Sequence, residues 1–153
     1  TIDKIYFDAR SEFEVGSPQA GVLLAEANVS FDYEVLSLLR KDSLDLDDAD
    51  RELIRATVAV DPCERIIITH GTDTMVQTAR VLQSVENKVI VLTGSMQPAG
   101  QRVTDAIFNV GFAAAAVQLL PEGVYIAMNG RIHDPAITRK NVMANRFEKD
   151  IPR

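Results

Sequence analysis

Cysteine is nearly absent from this 153-residue chain. Cys63 stands alone, so no intrachain disulfide and no cysteine metal cluster can form. Two histidines occur, His70 and His133, without HxxxH spacing, and they cannot make a zinc site by themselves. Tryptophan is missing. No Lys/Arg-rich run appears and the net charge is −6, which argues against nucleic acid or an anionic membrane as direct partners. The longest apolar stretch, Ala106 to Leu120, is too short to span a bilayer and carries Asn109 and Gln118. No signal-peptide pattern is visible, so cytoplasm is the expected compartment. No GxGxxG follows a strand, and neither GxxxxGK[ST] nor GxSxG occurs. Dinucleotide, P-loop and serine-elbow chemistry are therefore unsupported, and no cofactor is implied.

What remains is ordinary globular material. Apolar residues make up 46% and charged residues 25% of the chain, and its length suits one domain with a real core. The start is unusual. Thr1 is not methionine, so either the natural beginning is missing or Thr1 was exposed by processing.

Residues 3–19 mix charges, aromatics, Gly16 and Pro18 without a sustained period, which predicts a long loop, the kind that often serves as a lid. Gln19 to Val29 suits a short helix and Phe31 to Leu39 a strand. Asp47 and Asp48 are candidate N-caps for a helix running to Val60. "ERIIIT", "KVIVLTGS" and "GVYIAMN" read as buried parallel strands, apolar on both faces. Between them, "TMVQTARVLQSV" and the stretch capped by Asp105 read as helices. The second is apolar nearly all round, which points to burial on several sides, as at a subunit interface. "NGR" marks a turn after the third strand. Strands alternating with helices predict a single-domain, doubly wound, Rossmann-like α/β fold, with a mostly parallel sheet flanked by helices.

In such sheets ligands sit outside the carboxyl ends of the strands. Two strands end there in polar clusters, "THGTDT" and "TGSMQP", and a third cluster, "RKDSLDLDD", follows the expected Phe31–Leu39 strand. The amides of Gly71 to Thr74 open a helix and suit a carboxylate or oxyanion. Asp73 suits a cationic amine, and Thr69 and Thr72 can donate, accept or attack. The same residues also make good helix caps and a tight turn, so the cluster alone leaves both readings open. His70 fits a packed structural residue as well as a catalytic one. His133, after a turn, is expected at the surface, and Cys63 as a small core or edge residue rather than a reactive thiol.

"ITHGTDTM" together with "VIVLTGSMQP" resembles the bacterial-type L-asparaginases. Thr1 and Ile2 match the end of that family's TGGTI motif. Asp42 to Leu46, "DSLDL", resembles its substrate-binding loop, and Ile137 to Asn141, "ITRKN", its lysine-bearing segment. The motifs follow the family's order over nearly the whole chain. The resemblance implies hydrolysis of L-asparagine to aspartate and ammonia through a threonine acyl-enzyme, on a small amino-acid amide. It implies Thr1 as nucleophile, and Thr72 as the residue positioning water or leaving group. Asp73 would bind the α-amino group and Ser43, beside Asp42, the α-carboxylate. Lys140 would couple to Thr72 and Asp73, with Arg139 in its place if no gap is allowed. Gly71 and Ser95 would line the substrate. "FEVG" puts Phe13 where the family has its activating tyrosine, and Tyr6 is the candidate replacement. The family's Gly-Gly and first strand, expected before Thr1, and its C-terminal domain have no counterpart in the sequence. A homodimer or homotetramer is expected. Three alternatives accompany this expectation: a glutaminase-type amidohydrolase, a non-catalytic amino-acid-binding module, and an N-terminal nucleophile using the Thr1 amine as base.

Overall fold

A computed structural model describes residues 2–7 and 12–150. At the centre lies a four-stranded sheet of β3 (Arg65–Thr69), β4 (Val89–Thr93), β5 (Gly123–Met128) and β6 (Arg131–His133), in that spatial order. The first three strands are parallel, and β6 returns antiparallel to β5. Asn129 and Gly130, both with positive φ, make the two-residue turn that reverses the chain, as "NGR" predicts. Side chains alternate cleanly. Ile90, Leu92, Val124, Ile126 and Met128 pack on α2 (Asp48–Val60) and α3 (Met75–Leu82). Val89, Val91 and Ala127 pack on α4 (Ala106–Leu119) on the other face. All five residues of β4 are buried, which explains its uninterrupted apolar sequence.

The order β3, β4, β5 advances in one direction while α3 and α4 lie on opposite faces. One of the two crossovers is therefore left-handed, a rare departure from the usual right-handed connection. Asp47 caps α2 through a reciprocal capping box with Asp50. α4 buries Asn109, Val110, Ala113, Ala114 and Val117, yet leaves Ile107, Phe108 and Leu119 exposed.

Two expectations are corrected. Residues 3–19 are not one long loop: β1 (Lys4–Phe7) pairs antiparallel with β2 (Glu12–Val15), ahead of α1 (Ala20–Glu26). Phe31 to Leu39 is not a strand. The stretch has alternating apolar residues but no ladder partner, and only a ladder makes an extended chain a sheet member. Leu38 and Leu39 still pack against the α2–α3 core. At the other end a short hairpin forms from β7 (Thr138–Asn141) and β8 (Arg146–Lys149), after a 3-10 turn at Pro135–Ile137. Among the described residues no helix is long and apolar enough to cross a membrane.

Candidate active site

The carboxyl ends of β3 and β4 meet at close range. The His70 amide donates to the Thr93 carbonyl at 2.9 Å. Gly94 lies against the His70 carbonyl so closely that any Cβ there would collide with it. Gly71 is pressed in the same way onto Ser43, where a Cβ would come within 2.6 Å of the serine Cβ. The Thr74 hydroxyl donates to the Ser43 carbonyl at 2.7 Å. The turn after β3 and the 3-10 turn at Ser43–Asp45 are thus stitched together by close packing and a hydrogen bond.

His70 is a member of this scaffold. Its Nδ1–H donates to the Gly71 carbonyl at 2.7 Å, and its Nε2 accepts from the Thr78 hydroxyl at 2.8 Å. Burial holds its pKa below the ordinary histidine value, so the ring is neutral and both nitrogens are occupied. It is buried and bonded within the turn, away from Lys140, Thr72 Oγ1 and Asp73, which fits the packed structural reading.

Around that scaffold three side chains converge. Lys140, carried on β7, places Nζ 2.8 Å from Thr72 Oγ1 and 2.6 Å from Asp73 Oδ1. Its side chain is 13% exposed, while Asp73 is 38% exposed and opens to solvent. Thr72 is buried. Arg139 instead faces Glu148 at 2.6 Å, so Lys140 rather than Arg139 reaches this group. Ser43 is 1% exposed, and its Oγ, beside Gly71, has no hydrogen-bond partner among the described residues. A buried hydroxyl left unsatisfied costs free energy, which sets this one apart from the bonded groups around it.

The other candidates fall differently. Asp42 is engaged by Lys4 and by the Leu44 amide at 3.0 Å. The hydrogen bond from Lys4 lowers its pKa first of all, so it builds the Ser43 turn as a carboxylate. Ser95 is fully buried in the turn after β4. Tyr6 stands on β1 opposite Phe13, ring edge to face at 5.3 Å, and is 51% exposed. It makes no hydrogen bond to Thr72, Asp73 or Lys140. Thr1 lies outside the described residues. Its neighbour Ile2 is buried, and the Ile2 carbonyl accepts the Ala99 amide at 3.0 Å, just beyond the β4 turn.

Three residues carry more than their sequence context suggested. Asp105, expected as a helix cap, makes no cap bond. Its carboxylate accepts the Met96 and Gln97 amides at 3.0 Å and Asn109 Nδ2 at 2.9 Å, fixing the turn that holds Ser95. His133 is buried, not at the surface, because β8 brings Phe147 over it; burial lowers its pKa. Cys63, expected as a small core or edge residue, is exposed on a loop, and the Asp61 side chain raises its thiol pKa, which disfavours the thiolate as expected. An apolar pocket of about 280 Å³ between α1 and α4 shares no residue with the rim.

A parallel α/β sheet with a polar cluster at the strand carboxyl ends defines the class: an α/β protein with a candidate ligand site on that rim. The model of the asparaginase N-terminal domain family matches residues 11–148, and the chain belongs to that family. It superposes on the thermostable L-asparaginase from Thermococcus kodakarensis with a TM-score of 0.78 and 26% identity, over 97% of this chain and 48% of that one. It is 40% identical over 77 residues to a glutaminase-asparaginase of Pseudomonas aeruginosa, covering 47% of this chain and 21% of that protein. It is 34% identical over 94 residues to a probable L-asparaginase of Schizosaccharomyces pombe, covering 58% of this chain and 26% of that protein. The chain thus spans about half of the solved structure, and its matches span about a fifth to a quarter of these relatives.

Proposed function

We propose that the chain carries the catalytic half of an amidohydrolase that converts L-asparagine to L-aspartate and ammonia through a threonine acyl-enzyme. One observation carries this reading: a largely buried lysine amine bonded at once to a buried threonine hydroxyl and to a half-open carboxylate. That arrangement suits proton transfer, because an amine held between these groups can, once in its neutral form, accept the hydroxyl proton and return it.

A threonine oxygen attacks the side-chain amide carbon and loses its proton. Protonated nitrogen leaves as ammonia, and an ester remains. Water then attacks the ester and frees the carboxylate. The family resemblance assigns the first attack to Thr1. Thr72, with Lys140 as proton partner, serves the water or the leaving group. Asp73 receives the substrate ammonium and Ser43 Oγ its carboxylate, helped by the amides that follow Gly71. Tyr6 is the proposed activator of Thr1, arriving with the β1–β2 hairpin. A cytoplasmic homodimer or homotetramer completes the reading. Asparagine and glutamine differ by one methylene, which an apolar pocket separates by only about 1–3 kcal/mol.

A second reading is an amino-acid-binding module that retains Ser43 and Asp73. The exposed Tyr6, unengaged with the Lys140 group, favours it. Ammonia release from asparagine and glutamine, with calorimetry on aspartate, separates the two. Release lost in Thr72→Val supports hydrolysis; binding without release supports the module; release untouched by Thr72→Val rejects the assigned site.

A further inference from the structure

We propose that Arg80 is a positioning residue that sets the approach of Lys140 to Thr72 and Asp73. The inference rests on the hydrolase reading for its kinetic consequence, but its geometry stands independently.

Lys140 comes from a part of the chain remote in sequence from the residues it meets, on a short two-stranded hairpin outside the main sheet. Such a hairpin has little ladder of its own to fix it, so something must hold it against the rim. Phe147 anchors β8 in the core, with its amide on Asn129 Oδ1, and Arg80 holds the segment entering β7 from the last turn of α3. Its Nε donates to the Pro135 carbonyl at 2.9 Å and its Nη2 to the Thr138 carbonyl at 3.2 Å. The two carbonyls bracket the 3-10 turn that leads into β7. The clamped segment is stiffened from within. The Asp134 side chain accepts the Ala136 amide at 2.9 Å, and the buried Thr138 hydroxyl donates to the Asp134 carbonyl.

The contacts close a ring. Thr72 leads into the N-terminus of α3, α3 ends near Arg80, Arg80 grips the segment entering β7, and Lys140 on β7 returns to Thr72. Helix α3 thereby acts as a spacer between the proton acceptor and the hydroxyl it serves. A planar guanidinium presents two N–H groups on one edge in a fixed fork, which matches two carbonyls in a single turn. A lysine offers a single ammonium point and grips less firmly. Arg80 touches none of the reacting groups, so its influence runs through Lys140. An error of order 1 Å in a positioned group costs on the order of a hundredfold in rate.

The test uses Arg80→Met, Arg80→Lys, Lys140→Met and the double variant Arg80→Met/Lys140→Met. Asparagine turnover is measured alongside acetylation of Lys140 by an N-hydroxysuccinimide ester, read by mass spectrometry. In Arg80→Met, kcat falls about tenfold or more while KM stays within about threefold. Arg80→Lys recovers part of the loss, and it supplies the second variant should Arg80→Met fold poorly. The double variant is no slower than Lys140→Met, since an effect routed through Lys140 vanishes without it. Lys140 acetylates several-fold faster in Arg80→Met, while Lys88, held by the Asp61 and Cys63 carbonyls, keeps its rate. Unchanged Lys140 labelling in Arg80→Met overturns the proposal, as does an equal loss of turnover with and without Lys140. Wild-type protein that releases no ammonia overturns the hydrolase reading instead, and the labelling then decides the role of Arg80 by itself.

Discussion

The β1–β2 hairpin and the turn after β3 both carry candidate site residues, and they are held in opposite ways. The turn is locked by backbone contact: Gly71 against Ser43, Gly94 against the His70 carbonyl, and His70 between Gly71 and Thr78. The hairpin is held by polar ties near its base. Lys4 pairs with Asp42, the Asp3 carboxylate accepts the Gln19 amide at 2.8 Å, and the Asp3 carbonyl accepts the Gly16 amide at 2.7 Å. Ile5, Tyr6 and Phe13 remain exposed above those ties. Close-packed interiors hold geometry to tenths of an ångström, whereas regions with few buried apolar contacts open at low cost. The two regions divide the labour. The groups proposed for substrate recognition sit on the packed turn, Lys140 reaches them from the β7–β8 hairpin, and the tyrosine proposed for activation sits on the less buried β1–β2 hairpin.

Lys140→Met strikes the group around the turn after β3 hardest. It removes the proposed proton partner and is expected to lower ammonia release by about 10²–10⁴-fold, measured under saturating asparagine, with the melting temperature little changed. Next comes the packing itself. Gly71→Ala drives a methyl into Ser43 and costs about 1–3 kcal/mol in urea unfolding, with a raised KM. Gly100→Ala meets nothing within 4 Å and stays within about 0.5 kcal/mol.

On the hairpin, Tyr6→Phe keeps the ring contact with Phe13, so stability stays within about 0.5 kcal/mol. Turnover nonetheless falls about tenfold or more, and unchanged turnover would remove Tyr6 from the mechanism. The pH dependence is gentler still. Burial holds His70 and His133 below their ordinary value of 6.5. Below that pH the unfolded chain takes up protons that the folded one refuses, so the stability these residues contribute is complete above about 6.5 and declines as pH falls. Melting scans from pH 8 to 5 show this decline, and it is shallower in His70→Gln than in the parent.

How much of this was written in the sequence varied by element. The three parallel strands announced themselves because each must be apolar on both faces, and Asp47 announced α2 because its side chain satisfies amides the helix cannot. Phe31 to Leu39 has a strand's composition and is no strand, since pairing depends on a neighbour that local sequence does not describe. His133 looked like a surface residue because nothing near it in sequence reveals that Phe147 folds over it. The HGTDT turn was ambiguous between cap and site, and local sequence does not show that Lys140 meets it. That arrival was legible through the order of motifs, whereas Arg80 carries no local signal: a lone arginine in an amphipathic helix looks like solvated surface. The unsatisfied Ser43 hydroxyl is likewise a fact of packing alone.

The rim site is tested most directly by titrating isotope-labelled protein with L-aspartate, the product of the proposed reaction, and following the backbone amides by nuclear magnetic resonance. Saturable shifts are expected at Ser43 and from Gly71 to Thr74, with Lys140 following, and these disappear in Asp73→Asn. Shifts confined instead to the apolar pocket lined by Leu23, Val29 and Ile107, or none at the rim at saturating aspartate, would contradict the assignment of that rim as the substrate site.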